Sequence, residues 1–228
     1  RLSGIGMDFG FGVKTGIGIN PESRGRMPTR AWYSRRYKGE GFRGGFTLLS
    51  SRGQGASTVT VMQLALAYAA LANGGTLYQP QVVRSIETSD GTVVQEFPPR
   101  VRHLINVPTE SLSLIRDALR DVVRDRHGTA HQESLPDVDM AGKTGTAQVS
   151  HVTPRGVDPK KVWYFNRDHA WFSGYAPAEA PEIAIVVLIE HGGGGGKNAV
   201  PVGMRVVRDW QEMNSQRSSE KVTTKRRA

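Results

Sequence analysis

Three strand-like segments follow one another in the last part of the chain, and they constrain the fold more than any other feature. The segments are "VDMAGKTGTAQVS", "HAWFSGYAP" and "IAIVVLIEH". Only the residues "AEAPE" separate the last two, a link short enough for an antiparallel, hairpin-like turn. The run from Ile183 to Ile189 is apolar on both faces, as expected of a central strand covered on both sides. The pattern therefore predicts an antiparallel sheet with this run in its middle.

Two helices are predicted before these strands and one after them. "TVMQLALAYAALANGG" has Thr60 and Gln63 at capping-box spacing and is apolar nearly all round, which predicts a buried helix. "PTESLSLIRDALRDVVRDRHG" carries one apolar stripe and predicts an amphipathic helix that ends at Gly128. The final helix is predicted from about Pro201 to Glu212. We therefore expect an α+β fold, an antiparallel sheet with helices on both faces.

A hairpin is predicted between the first two helices, whereas the beginning of the chain shows no lasting periodicity. "QVVRSIETSDGTVVQEF" alternates on both sides of Asp90-Gly91, a dipeptide that favours tight hairpin turns. The stretch to about Arg52 is rich in glycine, arginine and aromatic residues, and we expect turns and irregular structure there.

The residue types present limit the possible cofactors. The 228-residue chain has no cysteine, which excludes disulfides, thiolate catalysis and thiolate metal sites. His127 and His131 have no third ligand nearby, so we expect neither a metal nor another cofactor. The longest apolar run is far shorter than the roughly 20 residues that cross a bilayer. No signal segment opens the chain, which we expect to be a fragment or a processed form.

The net charge of +9 is concentrated toward the C-terminus. The segment "NSQRSSEKVTTKRRA" contains five Lys or Arg residues against one Glu. A segment of this composition favours solvated, disordered chain. We therefore predict that residues 1–213 belong to one domain and that residues 214–228 form a basic, disordered tail.

Two motifs suggest binding of nucleotides or nucleic acids. "HGGGGGKN" lacks the first glycine of a Walker loop and has Asn198 where serine or threonine is required. "SRGRMPTRAWYSRRYKGEGFRGG" interleaves basic residues with Trp32, Tyr33, Tyr37 and Phe42, a pattern that can bind single strands. Because no nucleic-acid module is present, we favour a surface loop whose aromatic rings fold back onto the core. We predict no nucleic-acid partner; the alternative predicts salt-sensitive binding to any polyanion.

The triplet Lys-Thr-Gly occurs twice, as Lys14-Thr15-Gly16 and as Lys143-Thr144-Gly145. The first copy lies among glycines in "FGFGVKTGIG", where a packed turn is expected. The second lies in a strand pattern, so Lys143 and Gly145 should point to one face, and Thr144 and Thr146 to the other. A glycine beside a lysine leaves an open groove next to a cation. At a sheet edge, such a strand can pair with an extended peptide, and one of its N–H groups can stabilise an oxyanion.

"AGKTGTAQ" resembles the Lys-Thr-Gly box of penicillin-binding transpeptidases and serine β-lactamases. Further segments are similar to class B penicillin-binding proteins and occur in that family's order: "FGFGVKTGI", "ESRGRMPTRAW", "GQGASTVTVMQLALAYAALANGG", "HAWFSGYAP" and "IAIVVLIEHGGGGG". Together they extend from about Phe9 to Asp209. The segment "RGRMPTRAW" and the glycine run look most like the penicillin-binding protein 2 branch, which serves cell elongation.

The resemblance implies the transpeptidase fold of penicillin-binding proteins and serine β-lactamases, present here in incomplete form. It also implies a D,D-transpeptidase that cross-links peptidoglycan stem peptides through a serine acyl-enzyme, and that β-lactams trap. The implied partner is a membrane glycosyltransferase of the elongation machinery. The implied location is the outer (periplasmic) face of the cytoplasmic membrane, with an N-terminal anchor outside this chain.

The resemblance also assigns roles to the residues of the second triplet. Lys143 would supply positive charge and support a proton network, and Thr146 would donate its N–H to the oxyanion; these two are the predicted catalytic residues. Thr144 and Thr146 would hold the terminal carboxylate of the substrate, and Gly145 would keep the groove open. The first triplet, at Lys14, would mark the lineage in a structural turn without taking part in catalysis.

Two boxes of the family are missing from the chain. No Ser-x-Asn occurs, and the one Ser-x-x-Lys, from Ser218 to Lys221, follows the Lys-Thr-Gly box and lies in the charged tail. We therefore reject Ser218 as the nucleophile and expect the C-terminal part of a transpeptidase domain, inactive by itself. The alternatives are a serine β-lactamase, a D,D-carboxypeptidase or a non-catalytic binding or scaffold protein of this fold.

Overall fold

The structure is a computed structural model that describes residues 2–38, 42–149 and 161–227, with side chains up to residue 217. The chain divides into two compact units, Arg1–Ile115 and Arg116–Ala228. Both units combine helices with antiparallel strands: two two-stranded sheets in the first and one three-stranded sheet in the second. The predicted α+β class with antiparallel strands is therefore confirmed, although the strands form three small sheets. None of the described helices has both the length and the apolar character that crossing a bilayer requires.

The first unit begins with helices where the sequence predicted irregular structure. These are α1 (Leu2–Asp8), α2 (Arg30–Arg36) and α3 (Gly44–Ser51), so that prediction is wrong over these residues. The start of α2 has a local signal, because the Thr29 side chain accepts a hydrogen bond of 3.2 Å from Trp32 N–H. This N-cap lies inside the basic aromatic segment, where the composition concealed it.

The aromatic rings of this segment pack against one another. Tyr33 is 4% exposed, and its ring stacks on Phe46 with the ring centroids 4.3 Å apart. The guanidinium of Arg30 lies over the Phe42 ring, 4.8 Å from its centroid. The arginines thus cover the aromatic cluster, and the predicted folding back of the aromatic rings is confirmed for Tyr33.

Helix α4 (Val61–Ala72) begins where the capping box predicted. Gln63 N–H donates to the Thr60 hydroxyl at 3.1 Å, and Thr60 N–H donates to Gln63 Oε1 at 2.9 Å. The predicted burial is confirmed beyond the first turn: Val61 and Met62 are exposed, whereas every residue from Gln63 to Ala72 is buried or half-buried. The fully buried residues are Gln63 and three alanines, and Ala72 lies on the side of the helix opposite Gln63, as expected of a helix covered nearly all round.

Two small sheets complete the first unit. Strand β1 (Thr76–Gln79) pairs with β4 (Arg100–Leu104), and β2 (Ser85–Glu87) pairs with β3 (Val93–Glu96). The second pair is the hairpin predicted around Asp90-Gly91, and Gly91 has a φ of +85° in its turn.

The amphipathic helix α5 (Thr109–Arg124) is confirmed by the burial of its apolar stripe, which includes Leu112, Leu119 and Val123. The helix ends at Arg124, earlier than predicted. Gly128 instead lies close to carbonyl groups in the last turns of the helix. A Cβ at this position would be 2.7 Å from Asp121 O, which is too close for any side chain. The glycine is therefore required for the chain to turn back along the helix end.

Three antiparallel strands form the sheet of the second unit. They are β5 (Ala141–Ala147), β6 (His169–Ala176) and β7 (Ile183–Ile189), in the spatial order β5-β6-β7. The hairpin between β6 and β7 is confirmed, with Glu182 N–H donating to Ala176 O at 2.9 Å. The central position predicted for β7 is wrong, since β6 is the middle strand. An apolar run indicates that both faces of a strand are covered, but it does not indicate how many strands pair with it.

Two helices follow the sheet, α6 (Gly195–Asn198) and α7 (Val200–Arg227). Phe172 of β6 packs with Val200, Met204 and Val207 in a buried core. The final helix is longer than predicted, and its backbone continues through most of residues 214–228, for which the sequence predicts disorder. A helix that starts in a packed core propagates at low cost through residues such as Lys, Arg, Glu and Gln.

Candidate active site

The second Lys-Thr-Gly triplet lies in β5, at one edge of the three-stranded sheet. Its residues pair with β6, with Thr144 opposite Phe172 and Gly145 opposite Trp171. No other strand of the described chain pairs with β5. An edge strand presents backbone N–H and C=O groups to which an extended peptide can bind. The edge position on which the peptide-binding hypothesis depends is therefore present.

Lys143 is exposed, and its side chain folds across the edge of the strand. Its Nζ donates to Thr144 O at 3.0 Å and is 3.5 Å from Thr144 Oγ1. The ion pairs of the described residues do not include Lys143. A cation at the edge of the strand, with no carboxylate of the described chain against it, can attract an anionic group of a ligand.

The hydroxyls of Thr144 and Thr146 lie on the other face of β5, as the alternation of a strand requires. Thr144 Oγ1 is 2.7 Å from Thr129 Oγ1, and Thr146 Oγ1 accepts from Gly195 N–H at 3.3 Å. Sequence reasoning missed Thr129 and Gly195, which are 15 and 49 positions away from their partners. No local pattern predicts contacts at such separations. The segments that contain the two residues, "HGTAH" and the glycine run, can be recognised in the sequence, but their partners cannot.

Two glycines allow backbone segments to approach each other closely at this edge. A Cβ on Gly145 would be 3.2 Å from Trp171 Cβ. A Cβ on Gly195 would be 3.0 Å from Gly145 N and would overlap the carbonyl oxygens of Gly145 and Trp171. The glycine run therefore does more than turn the chain after β7. It places the start of α6 directly over the Gly145–Trp171 pair.

The first triplet forms a closed turn. Thr15 is buried, and both its N–H, at 2.6 Å, and its hydroxyl donate to Glu22 Oε1. Gly16 N–H donates to Glu22 Oε2 at 3.1 Å, and Gly16 has a φ of +76°. The Thr15 hydroxyl, followed by these backbone N–H groups, lowers the pKa of Glu22 below its ordinary value. The interpretation of this copy as a structural turn is confirmed.

The carbonyl groups of the same turn are also satisfied within the chain. Gln79 Nε2 donates to Thr15 O at 3.0 Å and to Gly16 O at 2.6 Å. Gln63 Nε2 donates to Val13 O at 2.7 Å, just before the triplet. With both its donors and its acceptors engaged, this copy offers little to a ligand.

Neither missing box of the family is supplied by the described structure. The backbone at Ser218 belongs to α7, which starts at Val200 after the sheet is complete, and its side chain lies outside the described residues. Among the described residues, no group of three His, Cys, Asp or Glu side chains can hold a metal ion. The arrangement at β5 brings one ammonium group and two threonine hydroxyls to an edge strand, groups that suit an anionic peptide.

Comparisons with known proteins identify the family of the chain. The model of the penicillin-binding protein transpeptidase domain matches residues 2–208. The peptidoglycan D,D-transpeptidase MrdA of Haemophilus influenzae is 35% identical over 215 residues, 91% of this chain and 32% of that protein. MrdA of Acinetobacter baumannii is 38% identical over 193 residues, 84% of this chain and 28% of that protein. The chain thus spans about a third of the length of these curated relatives.

Solved structures give the same result. Penicillin-binding protein 2 of Helicobacter pylori, solved in complex with MreC, superposes with a TM-score of 0.74 at 29% identity, covering 91% of this chain and 35% of that one. Penicillin-binding protein 2 of Pseudomonas aeruginosa, in complex with WCK 5153, superposes with a TM-score of 0.70 at 33% identity, covering 92% and 42%. The chain therefore belongs to the penicillin-binding protein transpeptidase domain family, and within it to the class B, penicillin-binding protein 2 (MrdA) type.

Proposed function

We propose that this chain supplies the Lys-Thr-Gly wall of the active site in a peptidoglycan D,D-transpeptidase. The observation that carries the proposal is the exposed edge of β5, where Lys143 and two threonine hydroxyls surround backbone groups that can pair with a peptide. Family membership gives this edge its chemistry, since named relatives are D,D-transpeptidases.

Each residue of the edge has a proposed part in that reaction. Thr144 and Thr146 hold the carboxylate at the end of the stem peptide, and Lys143 adds positive charge that favours the anion. Thr146 N–H donates to the oxyanion that develops when the peptide carbonyl is attacked. Gly145 carries no side chain, so the peptide backbone can lie close to β5.

The proposed reaction needs the serine of a Ser-x-x-Lys box, and the one such box of this chain, at Ser218, lies in the charged tail. The serine attacks the carbonyl of the penultimate D-alanine, the bond to the last D-alanine breaks, and that residue leaves as the free amino acid. An amine of a neighbouring stem peptide then attacks the acyl-enzyme and restores the serine. β-Lactams acylate the same serine. Its attack opens the lactam ring, and the opened acyl group remains attached to the serine.

The proposed partners and location are those that the family resemblance implies. We propose that the enzyme acts in the cell envelope, on the outer face of the cytoplasmic membrane, held by an anchor outside this chain. A membrane glycosyltransferase of the elongation machinery would supply the glycan strands that it cross-links. The Helicobacter pylori relative has been solved with MreC, and we propose an equivalent partner for the full-length protein that contains this chain.

Labelling with a fluorescent penicillin tests the proposal. We expect the full-length protein to be labelled covalently at one site, and this chain alone to remain unlabelled. A donor stem peptide and an acceptor amine should then give a cross-linked product with release of D-alanine. Stoichiometric labelling of the isolated chain would contradict the need for an external serine. Hydrolysis that ignores the acceptor amine would instead indicate a carboxypeptidase.

A further inference from the structure

Thr129 lies outside the Lys-Thr-Gly strand, yet its hydroxyl contacts the first threonine of that strand. Thr129 Oγ1 is 2.7 Å from Thr144 Oγ1, the usual distance of a hydrogen bond between hydroxyls. The Thr129 side chain is exposed and Thr144 is half-buried. The pair therefore lies at the surface, on the threonine face of β5, where a ligand at the edge of the strand can reach it.

Packing fixes the backbone around Thr129. Ala130 is 1% exposed, and its N–H donates to Val122 O at 3.1 Å near the end of α5. A Cβ on Gly196 would be 2.6 Å from Thr129 O, so the glycine run passes directly over this carbonyl. Since both neighbouring segments hold its main chain, the Thr129 hydroxyl stays within hydrogen-bonding reach of Thr144.

The hydrogen-bonding capacity of a hydroxyl determines what this contact does. A threonine hydroxyl has one hydrogen and two lone pairs, whereas a lysine ammonium can only donate. Lys143 Nζ, 3.5 Å from Thr144 Oγ1, directs a hydrogen toward this oxygen. If Thr129 also donates to Thr144, both lone pairs are engaged and the hydrogen of Thr144 is left for an outside acceptor.

We propose that Thr129 is a positioning residue, which donates to Thr144 and thereby directs the Thr144 hydroxyl hydrogen to the carboxylate of a substrate or β-lactam. The inference rests on the proposed transpeptidase function. The reverse arrangement, with Thr144 donating to Thr129, would turn oxygen lone pairs toward the incoming anion. A bound carboxylate selects the first arrangement, because it needs a donor.

The test compares Thr129→Val with Thr129→Ser in the full-length protein. Valine keeps the shape of threonine without its hydroxyl, and serine keeps the hydroxyl. We expect Thr129→Val to slow acylation by benzylpenicillin by about 3- to 10-fold, the usual effect of one lost hydrogen bond. Acylation by the methyl ester of the same penicillin, which lacks the carboxylate, should change less than twofold (about the error of such rates). Thr129→Ser should retain the wild-type rate with both compounds.

Two results would overturn the inference. Equal slowing with the acid and the ester would show that Thr129 only supports the structure, and a wild-type rate for Thr129→Val with the acid would show no role. The thermal midpoint checks folding, and Thr129→Ala serves as a second variant if valine disturbs the turn. Failure of the proposed function is distinguishable, because the wild-type protein itself would then remain unlabelled by benzylpenicillin.

Discussion

The two Lys-Thr-Gly triplets have the same three residues in opposite situations. In the first, Thr15 is 2% exposed, and the Glu22 carboxylate accepts hydrogen bonds from Thr15 and Gly16. In the second, Lys143 is exposed and the strand lies at a sheet edge. There the Thr144 hydroxyl contacts the Thr129 hydroxyl, and the Thr146 hydroxyl accepts from Gly195 N–H.

The comparison shows what a carboxylate does to such a segment. The first triplet already binds one, and that internal carboxylate makes it a closed structural turn. The second has hydroxyls and a cation arranged on an open edge, which is the arrangement proposed for holding the carboxylate of a stem peptide. The triplet alone therefore does not determine its role: an internal carboxylate closes the first copy, whereas the second lies on an edge strand.

The largest expected difference between the copies concerns their lysines. In the full-length protein, Lys143→Met should slow acylation by penicillin about 10²- to 10³-fold, the range seen when a charge-stabilising donor is removed from an active site. Lys14→Met is the matched control and should stay within about twofold of wild type, since neither Lys14 nor its turn contacts the substrate in the proposed function. The rate of labelling by a fluorescent penicillin measures the effect of each variant. Equal rates for Lys143→Met and Lys14→Met would contradict the different roles proposed for the two lysines.

A second prediction tests whether the first copy serves stability. Gln63 is fully buried and donates to Val13 O at 2.7 Å and Arg24 O at 2.8 Å. Gln63→Leu leaves both carbonyls without this donor and removes half of the capping box, so we expect a loss of about 3 kcal/mol in the free energy of unfolding.

The matched control for this variant is Gln81→Leu. The amide of Gln81 donates to Pro98 O at an exposed position. It should change the free energy of unfolding by less than about 0.5 kcal/mol. Urea denaturation of the two full-length variants measures the difference. Equal midpoints would mean that the buried glutamine does not hold the turn of the first triplet.

The smallest effect concerns the pH dependence of the first copy. The pKa of Glu22 is lowered in the folded protein, chiefly by the Thr15 hydroxyl, so its ionised form favours folding. This contribution is complete above the pKa of an unfolded glutamate, about 4.3, and is lost as the pH falls toward the lowered value. We expect the thermal midpoint of Glu22→Gln to depend less on pH below about 4.3 than that of wild type.

Asp90 provides the control for this pH effect. Its pKa is also lowered, chiefly by the Thr88 hydroxyl, but it lies in the exposed β2–β3 hairpin turn. Asp90→Asn should keep the part of the acid dependence that Glu22 causes. Identical profiles for wild type and Glu22→Gln would show that the carboxylate does not stabilise the turn.

Local signals predicted several elements correctly from the sequence. The capping box at Thr60 and Gln63 placed the start of α4, and Asp90-Gly91 placed the β2–β3 hairpin. The short link "AEAPE" predicted the pairing of β6 with β7. Each of these signals acts over a few residues, through hydrogen bonds or turn geometry that neighbouring positions determine by themselves.

Other predictions failed where local composition was the only guide. The glycine- and arginine-rich beginning of the chain concealed three short helices, and β7 was placed in the middle of the sheet. The helical backbone of α7 also extends beyond the predicted end at Glu212. For the first two, tertiary packing selects among conformations that the local sequence permits, whereas α7 continues from its packed start through residues that favour a helix.

The sequence by itself determined the family, the order of the segments and the strand that carries Lys143, because these depend on residue identity and short-range periodicity. Only the tertiary structure decided that Glu22 closes the first triplet, that β5 lies at the sheet edge, and that Thr129 and Gly195 contact Thr144 and Thr146. The contacts of Thr129 and Gly195 join residues 15 and 49 positions apart along the chain. The buried core that includes Phe172 of β6 and Val200 of α7 holds the second unit together.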